Sequence, residues 1–116
     1  MTTTLEELLS GSIPESDATL RCRLVGTIDG KFALIDLDAQ EFVEERSIPV
    51  SIDGLLKLLG DAGMQPRGGG YFPYGGRTTL TGRFEIDEKM GTRACLTDYR
   101  SIEVEVHRRN PIVITK

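Results

Sequence analysis

Alternating apolar and polar side chains mark the first half of the chain as strand-forming. In residues 19–27 apolar side chains occupy every second position, which is the period of a strand with one buried face. Asp29-Gly30 follows and predicts a two-residue type I′ hairpin turn, because this dipeptide tolerates the positive φ angles that the turn requires. Residues 31–37 then predict a second strand, and residues 42–50 predict a third that ends near Pro49 at a sheet edge.

The second half repeats the strand pattern over longer stretches. Residues 78–86 alternate again, with Gly82 among the positions that face inward. After a charged turn at residues 87–92, residues 94–106 predict a last long strand. Asp98-Tyr99 interrupts its alternation and predicts a kink or bulge there.

A helix is predicted between the third and fourth strands. Its apolar residues follow the i, i+3, i+4, i+7 rule, which places them on one helix face. These residues are Ile52, Leu55, Leu56 and Leu59. Ser51 or Asp53 is expected to cap its start, and Gly60 or Gly63 its end.

The order strand, strand, strand, helix, strand, strand resembles the oligonucleotide/oligosaccharide-binding (OB) fold. The likeness covers residues 19–106. Residues 24–26 with 32–37 resemble the first OB hairpin, residues 79–84 the fourth strand with its glycine, and residues 94–106 the fifth. The resemblance implies a mainly β protein, a small five-stranded OB-like antiparallel barrel with a helix between strands 3 and 4.

The segment before the barrel, residues 1–18, predicts a short N-terminal helix and a linker. Thr4 and Glu7 have the spacing of a capping box, in which a hydroxyl and a carboxylate satisfy free N–H groups. Leu5 and Leu8 then fall on one helix face, and Gly11 ends the helix.

The whole chain, residues 1–116, is predicted to be a single domain that ends in a short extension, residues 107–116. Within it, Ile112-Val113-Ile114 predicts a sixth short strand. Such a strand either covers the barrel edge or pairs with another copy, so we expect a monomer or a homodimer through the C-terminal strand.

Charge is divided unevenly along the sequence. The formal net charge is −4, yet residues 1–66 hold 5 basic and 12 acidic side chains (−7) and residues 67–116 hold 9 basic and 6 acidic (+3). The overall excess of acid argues against a non-specific duplex-binding protein. It does not exclude a local basic site in the second half.

Few residues suggest a catalytic or metal-binding role. Two cysteines and one histidine are too few for a zinc site, and Cys22 and Cys95 are expected to be buried free thiols. His107 is expected at the surface, and no catalytic motif is present, so we predict no enzyme, cofactor or metal. The sequence shows neither a signal peptide nor a membrane span, so we expect a cytoplasmic protein.

The most unusual segment is the glycine-rich stretch at residues 65–77, predicted as a loop. It carries three aromatic and two basic side chains, which are Tyr71, Phe72, Tyr74, Arg67 and Arg77. These side chains are suited to bind single-stranded DNA or RNA, since aromatic rings stack on bases and arginines contact phosphate. They equally serve a protein-docking loop. The third interpretation is a connection whose rings cover the core; the glycines at 68–70 have no phosphate-loop signature.

Further arginines and acids compete for the expected OB binding face. Arg21 and Arg23 share the outer face of the first strand, with Arg83 near them on the fourth. A group of acids is expected on strands 2 and 3, namely Asp36, Asp38, Glu41, Glu44 and Glu45. Because negative charge there repels a nucleic acid, the leading hypothesis is an accessory, inhibitor or immunity-type module. It would bind a protein partner through its acidic face or the Tyr71–Tyr74 loop. The alternative is single-stranded nucleic-acid binding through the arginine and aromatic residues of the 65–77 loop.

Overall fold

A computed structural model describes residues 1–67, 70–90 and 93–116, so the loop glycines at 68 and 69 and the turn residues at 91 and 92 lie outside the described residues. The helices are α1 (Leu5–Leu9) and α2 (Leu55–Asp61). The strands are β1 (Ala18–Gly26), β2 (Phe32–Ile35), β3 (Ile48–Pro49), β4 (Tyr74–Asp87), β5 (Arg93–Val104) and β6 (Ile112–Thr115). Single 3-10 turns cover Glu44–Arg46 and Glu88–Met90.

The strands form one antiparallel sheet in the order β3-β2-β1-β4-β5-β6. The prediction of a mainly β, antiparallel chain with two short helices is therefore confirmed. β3 also approaches β5, where Val50 and Leu96 form a parallel bridge and the Ser51 N–H donates to the Leu96 carbonyl at 2.8 Å. Beyond this bridge no ladder joins these two strands among the described residues, so the sheet is not closed.

The core lies on the inner face of this curved sheet and follows the predicted alternation. Its most deeply buried large side chains come from five of the strands, and include Leu20, Leu24, Leu34, Ile48, Leu80, Phe84, Leu96 and Ile102. Burying such a side chain contributes about 1.5–3 kcal/mol. Cys22 and Cys95 are buried free thiols, as predicted, and burial raises the pKa of Cys22 to about 12.

The β1–β2 hairpin is present, but its turn is not the predicted type I′. The Gly30 N–H donates to the Thr27 carbonyl at 3.0 Å, and Gly30 has a φ of 88°. Among the described residues Arg108 is the only non-glycine residue with a positive φ. Asp29 therefore lacks the positive φ that a type I′ turn requires. The loop is longer than two residues, because the Thr27 N–H donates to the Lys31 carbonyl at 2.9 Å and three residues, 28–30, lie between them.

The predicted third strand at residues 42–50 is wrong in length. Pairing with β2 begins only at Ile48, after the Glu44–Arg46 turn. The reason is a distant side chain: the Arg93 guanidinium donates to the carbonyls of Glu44 and Ser47, which a strand would have used.

Helix α2 begins later than predicted and ends where predicted. Neither Ser51 nor Asp53 caps it, because the chain enters through Gly54 at a φ of 72° with no side-chain cap. At the other end the Gly63 N–H donates to Gly60 at 3.0 Å, and the Met64 N–H donates to Leu59 at 2.9 Å. These two hydrogen bonds close the C-terminal end of the helix, where Gly63 has a φ of 112°.

Helix α1 forms as predicted and covers one end of the sheet. The Thr4 Oγ1 accepts the Glu7 N–H at 3.1 Å, and Gly11 follows the helix with a φ of 92°. Leu5 and Leu8 are buried in the common core. The helix therefore stabilises the β3 and β5 side of the sheet.

Strand β4 begins at Tyr74, so the last four residues of the predicted 65–77 loop are strand. The predicted irregularity at Asp98-Tyr99 is confirmed, because the β4–β5 register shifts on both sides of Gly82–Arg83. The sixth strand is also present and pairs antiparallel with β5. No helix among the described residues is long and apolar enough to cross a membrane.

Candidate functional site

A cleft of about 480 Å³ opens on the outer face of the sheet, where β4 begins beside the end of β1. Five of the predicted site residues line it together, namely Arg23, Arg67, Phe72, Tyr74 and Arg77. We call these five residues the arginine cleft. Its floor is the backbone of Gly75 and Gly76, and Glu105 and His107 lie at its rim.

Two consecutive glycines let the start of β4 approach its neighbours closely beside the cleft. Gly75 has a φ of 146°, and a Cβ there would collide with the carbonyl oxygen of Leu24 on β1. A Cβ on Gly76 would lie 3.0 Å from the carbonyl oxygen of Glu105. Side chains larger than glycine would therefore push β4 away from its neighbours.

Sheet register brings two of the arginines face to face. Arg23 on β1 lies directly opposite Arg77 on β4. Like charges at opposed positions repel, so this pair weakens the sheet locally. The Arg23 Nε is buried without a hydrogen-bond partner in the described part of the chain, which leaves its charge uncompensated.

Arg67 separates this cleft from a second depression of about 300 Å³. That depression is lined by Arg109 and His107 together with the end of β5. The Arg67 N–H donates to the Pro73 carbonyl at 2.7 Å, which holds Arg67 next to the start of β4. Arg108, at a φ of 60°, forms the turn that leads into Arg109.

In the described ranges the arginines of the cleft form no ion pair, unlike Arg46, Arg83 and Arg100. In residues 1–67, 70–90 and 93–116 no carboxylate lies within 4.0 Å of the guanidinium groups of Arg23, Arg67, Arg77 or Arg109. Glu105 is the one carboxylate among the described residues that line the two depressions. The site is therefore strongly electropositive for a protein of net charge −4.

A second feature, the aromatic cluster, adjoins the cleft. It consists of Phe42, Tyr71 and Phe72, with ring centroids 4.9 Å apart for Phe42–Phe72 and 4.8 Å apart for Tyr71–Phe72. Tyr71 is 76% exposed and Phe42 is 37% exposed. A depression of about 290 Å³ between this cluster and β2 also contains Lys31 and Pro49. Phe72 lines both this depression and the arginine cleft, so the two features form one surface.

The predicted aromatic loop is thus divided by the structure. Tyr74 lies in β4 at the arginine cleft, Phe72 lies between the two features, and Tyr71 belongs only to the aromatic cluster. The rings do not cover the core as a group: Phe72 packs on Tyr71 and on Phe42, whereas Tyr74 packs against the core.

Two predicted site residues lie outside the cleft. Arg21 is exposed on β1 opposite Thr79, two residues before Arg23 on the same face of the strand. Arg83 lies further along β4, where its Nη1 is 4.0 Å from a carboxylate oxygen of Glu85. Neither residue contributes to the lining of the arginine cleft.

The acids expected on strands 2 and 3 are in a different place. All five lie in the connection between β2 and β3, because β2 ends at Ile35 and β3 begins at Ile48. Asp36 is neutralised there by Arg46, whose Nη2 is 2.9 Å from Asp36 Oδ2 and 2.9 Å from Glu6 Oε2. Hydrogen bonds to Glu6 and Asp36 raise the pKa of Arg46.

Some site residues were missed by the sequence argument. Phe42 was assigned to a strand, and Arg109 was placed only in the C-terminal extension, residues 107–116. A Phe-Val pair inside an acidic segment was the available signal for Phe42, since exposed apolar residues among charges are typical of contact sites. No local signal pointed to Arg109.

Metal binding has no support in the described ranges, where no three His, Cys, Asp or Glu side chains come together. Searches against protein-family models, curated proteins and solved structures find no match to this chain. The geometry of the arginine cleft and the aromatic cluster is therefore the basis for a functional assignment.

Proposed function

We propose that this chain is a non-catalytic binding module on an OB-like barrel, which acts by binding a protein partner as an accessory, inhibitor or immunity-type protein. The barrel assignment is supported by the position of α2 between β3 and β4 and by the parallel bridge of Val50 with Leu96, which joins β3 to β5. These contacts bring the two ends of a five-stranded arrangement together, as barrel closure requires.

The aromatic cluster carries the functional proposal. Three rings contact each other at the surface instead of joining the core, and exposed Val43 follows Phe42 in the chain. Exposed apolar groups of this kind mark interaction sites, and Tyr, Phe and Arg are enriched in protein interfaces. The adjoining arginines complete that composition.

The proposal is tested by photo-crosslinking in cells that produce the protein. A photoreactive phenylalanine analogue at Tyr71 should form a discrete crosslink to a protein, because this side chain is 76% exposed at the cluster. The matched control is the same analogue at Ile86, which is 40% exposed on β4 away from the cluster. Identical crosslinks at both positions, or none at Tyr71, would contradict a docking site at the cluster.

A second function, binding of single-stranded nucleic acid, is favoured by one specific observation. Arg23, Arg67 and Arg77 meet in one cleft with Tyr74, which combines phosphate contacts with a ring for stacking. Fluorescence anisotropy with short single-stranded DNA and RNA at low salt tests it. Binding should weaken with salt and disappear on Tyr71→Ala with Tyr74→Ala, and no binding at about 50 μM protein, within the range of non-specific affinities, would remove this function.

A further inference from the structure

We propose that the arginine cleft is the anion-binding half of the partner site. It takes the carboxylates of an acidic segment of the partner protein, while an apolar side chain of the same segment packs on the aromatic cluster. This inference rests on the proposed function and adds the chemistry of the partner to it.

The cleft carries positive charge that has no ion-pair partner among the described residues. Arg23 and Arg77 oppose each other across β1 and β4, and Arg67 faces the same cleft, with no carboxylate within 4.0 Å among the described residues. A carboxylate placed between them relieves the repulsion and supplies acceptors for forked guanidinium donors. The buried Arg23 Nε, which has no partner in the described ranges, shows that the charge is already partly desolvated. Partly desolvated charge strengthens an ion pair with an incoming group.

Two acidic side chains beside the cleft and the aromatic cluster favour a protein ligand over a nucleic acid. Glu41 lines a small depression with Arg23 and Phe72, and Glu44 lies beside Phe42 at the aromatic cluster. A single strand of nucleic acid carries a negative charge at every nucleotide, so it meets repulsion when it continues from the cleft onto the rings. A polypeptide avoids this repulsion, because its acidic side chains can enter the cleft while uncharged or basic ones lie over the cluster.

The two features are adjacent on the surface. Phe72 lines the arginine cleft and also the depression beside Tyr71 and Phe42, so the two features border each other. One short segment can therefore contact both features.

Selection of peptides from a random display library on the full chain tests the inference. The enriched peptides should combine at least two acidic residues with an aromatic or aliphatic residue. In anisotropy measurements with a synthetic copy of an enriched peptide, Arg67→Glu or Arg77→Glu should weaken binding about ten- to a hundredfold. This is the effect expected when one hydrogen bond between charged groups is lost. Arg83→Glu is the matched control, because Arg83 lies on β4 outside the cleft, and it should leave affinity within about twofold.

A charge exchange makes the test independent of folding. If Arg77→Glu simply damaged the protein, no peptide would recover binding. A copy of the enriched peptide with its acids replaced by lysines should bind Arg77→Glu better than it binds the unchanged protein. Failure of this recovery in a folded variant contradicts direct contact between the acids and the cleft.

The remaining outcomes separate this inference from the proposed function. Enriched peptides without acids, sensitive to Phe42→Ser but not to Arg77→Glu, would overturn the inference and leave protein binding intact. A chain that enriches no peptide, or that binds only a short oligothymidylate, would overturn both.

Discussion

Arg46 and Arg77 show two opposite ways in which this chain uses an arginine. Arg46 donates through Nε and Nη2 to both oxygens of Asp36, at 2.9–3.2 Å, and its Nη2 also reaches Glu6. Arg77 faces Arg23 across the sheet and has no carboxylate within 4.0 Å in the part of the chain that the structure describes. The first arginine holds helix α1 to the β2–β3 connection, whereas the second makes no such contact among the described residues.

The same division applies to whole regions. Around α1 and the C-terminal strand the cations are paired, as in Arg100 with Asp17 at 2.8 Å and Lys116 with Asp98 at 2.6 Å. Around the arginine cleft they are not. Charge near α1 and β6 therefore stabilises the fold, while charge at the cleft has no ion-pair partner among the described residues. The two regions should respond differently to substitution, and the following experiments measure that difference.

The largest effect is expected at the cleft floor. Gly75→Val should destabilise the protein by about 3 kcal/mol or more, because its side chain collides with the Leu24 carbonyl at a φ that valine disfavours. Gly60→Ala is the matched control, because nothing lies within 4 Å of a Cβ built at this position. An alanine inside α2 should raise the free energy of unfolding by about 0.5–1 kcal/mol. Urea denaturation measures both. A folded Gly75→Val protein of unchanged stability would show that the glycine floor does not shape the cleft.

The glycine floor also shows where sequence reasoning succeeded and failed. Strands with strict alternation, such as β1, and helix ends with cap residues, such as Thr4 and Gly63, could be predicted because their signals are local. β4 was predicted to begin at residue 78 because Gly75 and Gly76 have low strand propensity. Pairing with the end of β1 overrides that propensity, and no local signal reports it.

The candidate site was recognised in its residue types but not in its arrangement. Arg67, Tyr74 and Arg77 were chosen from one unusual segment, whereas Arg23 joins them only through the β1–β4 register. The acids were misplaced because Arg93 holds the backbone at Glu44 in a turn, a contact between residues distant in the sequence. Long-range register and long-range side-chain contacts are the two things a single sequence does not display.

A smaller loss is expected at the N-terminal helix. Thr4→Ala removes the hydroxyl that accepts the Glu7 N–H, so stability should fall by about 1 kcal/mol. Peptide binding at the cleft should not change, because the cap lies in the region where charge is paired. Ser12→Ala, at an exposed position after the helix, is the control and should leave stability unchanged. Loss of binding in Thr4→Ala would join the two regions that the structure separates.

The paired and unpaired arginines can be compared directly by thermal unfolding. Arg46→Ala should lower Tm by a few degrees, since it removes a forked contact with Asp36 and a second carboxylate. Arg77→Ala should leave Tm unchanged or raise it, because it removes the repulsion opposite Arg23. High salt should shrink the Arg46→Ala effect. If Arg77→Ala lowered Tm more than Arg46→Ala, the cleft arginines would have a structural role after all.

The smallest expected effect is a pH dependence confined to the paired region. The hydrogen bond from Lys116 lowers the pKa of Asp98 below its ordinary value, so this carboxylate adds stability above that ordinary value. The contribution is lost as pH falls through the lowered pKa of the folded state. Asp98→Asn should therefore unfold at a lower temperature than the unchanged protein at neutral pH, and the gap should narrow in acid. Glu103→Gln, an exposed carboxylate on β5 without an ion pair among the described residues, should show no such narrowing. A gap for Asp98→Asn that stays constant with pH would contradict a stabilising contribution from the charge pair of Asp98 with Lys116.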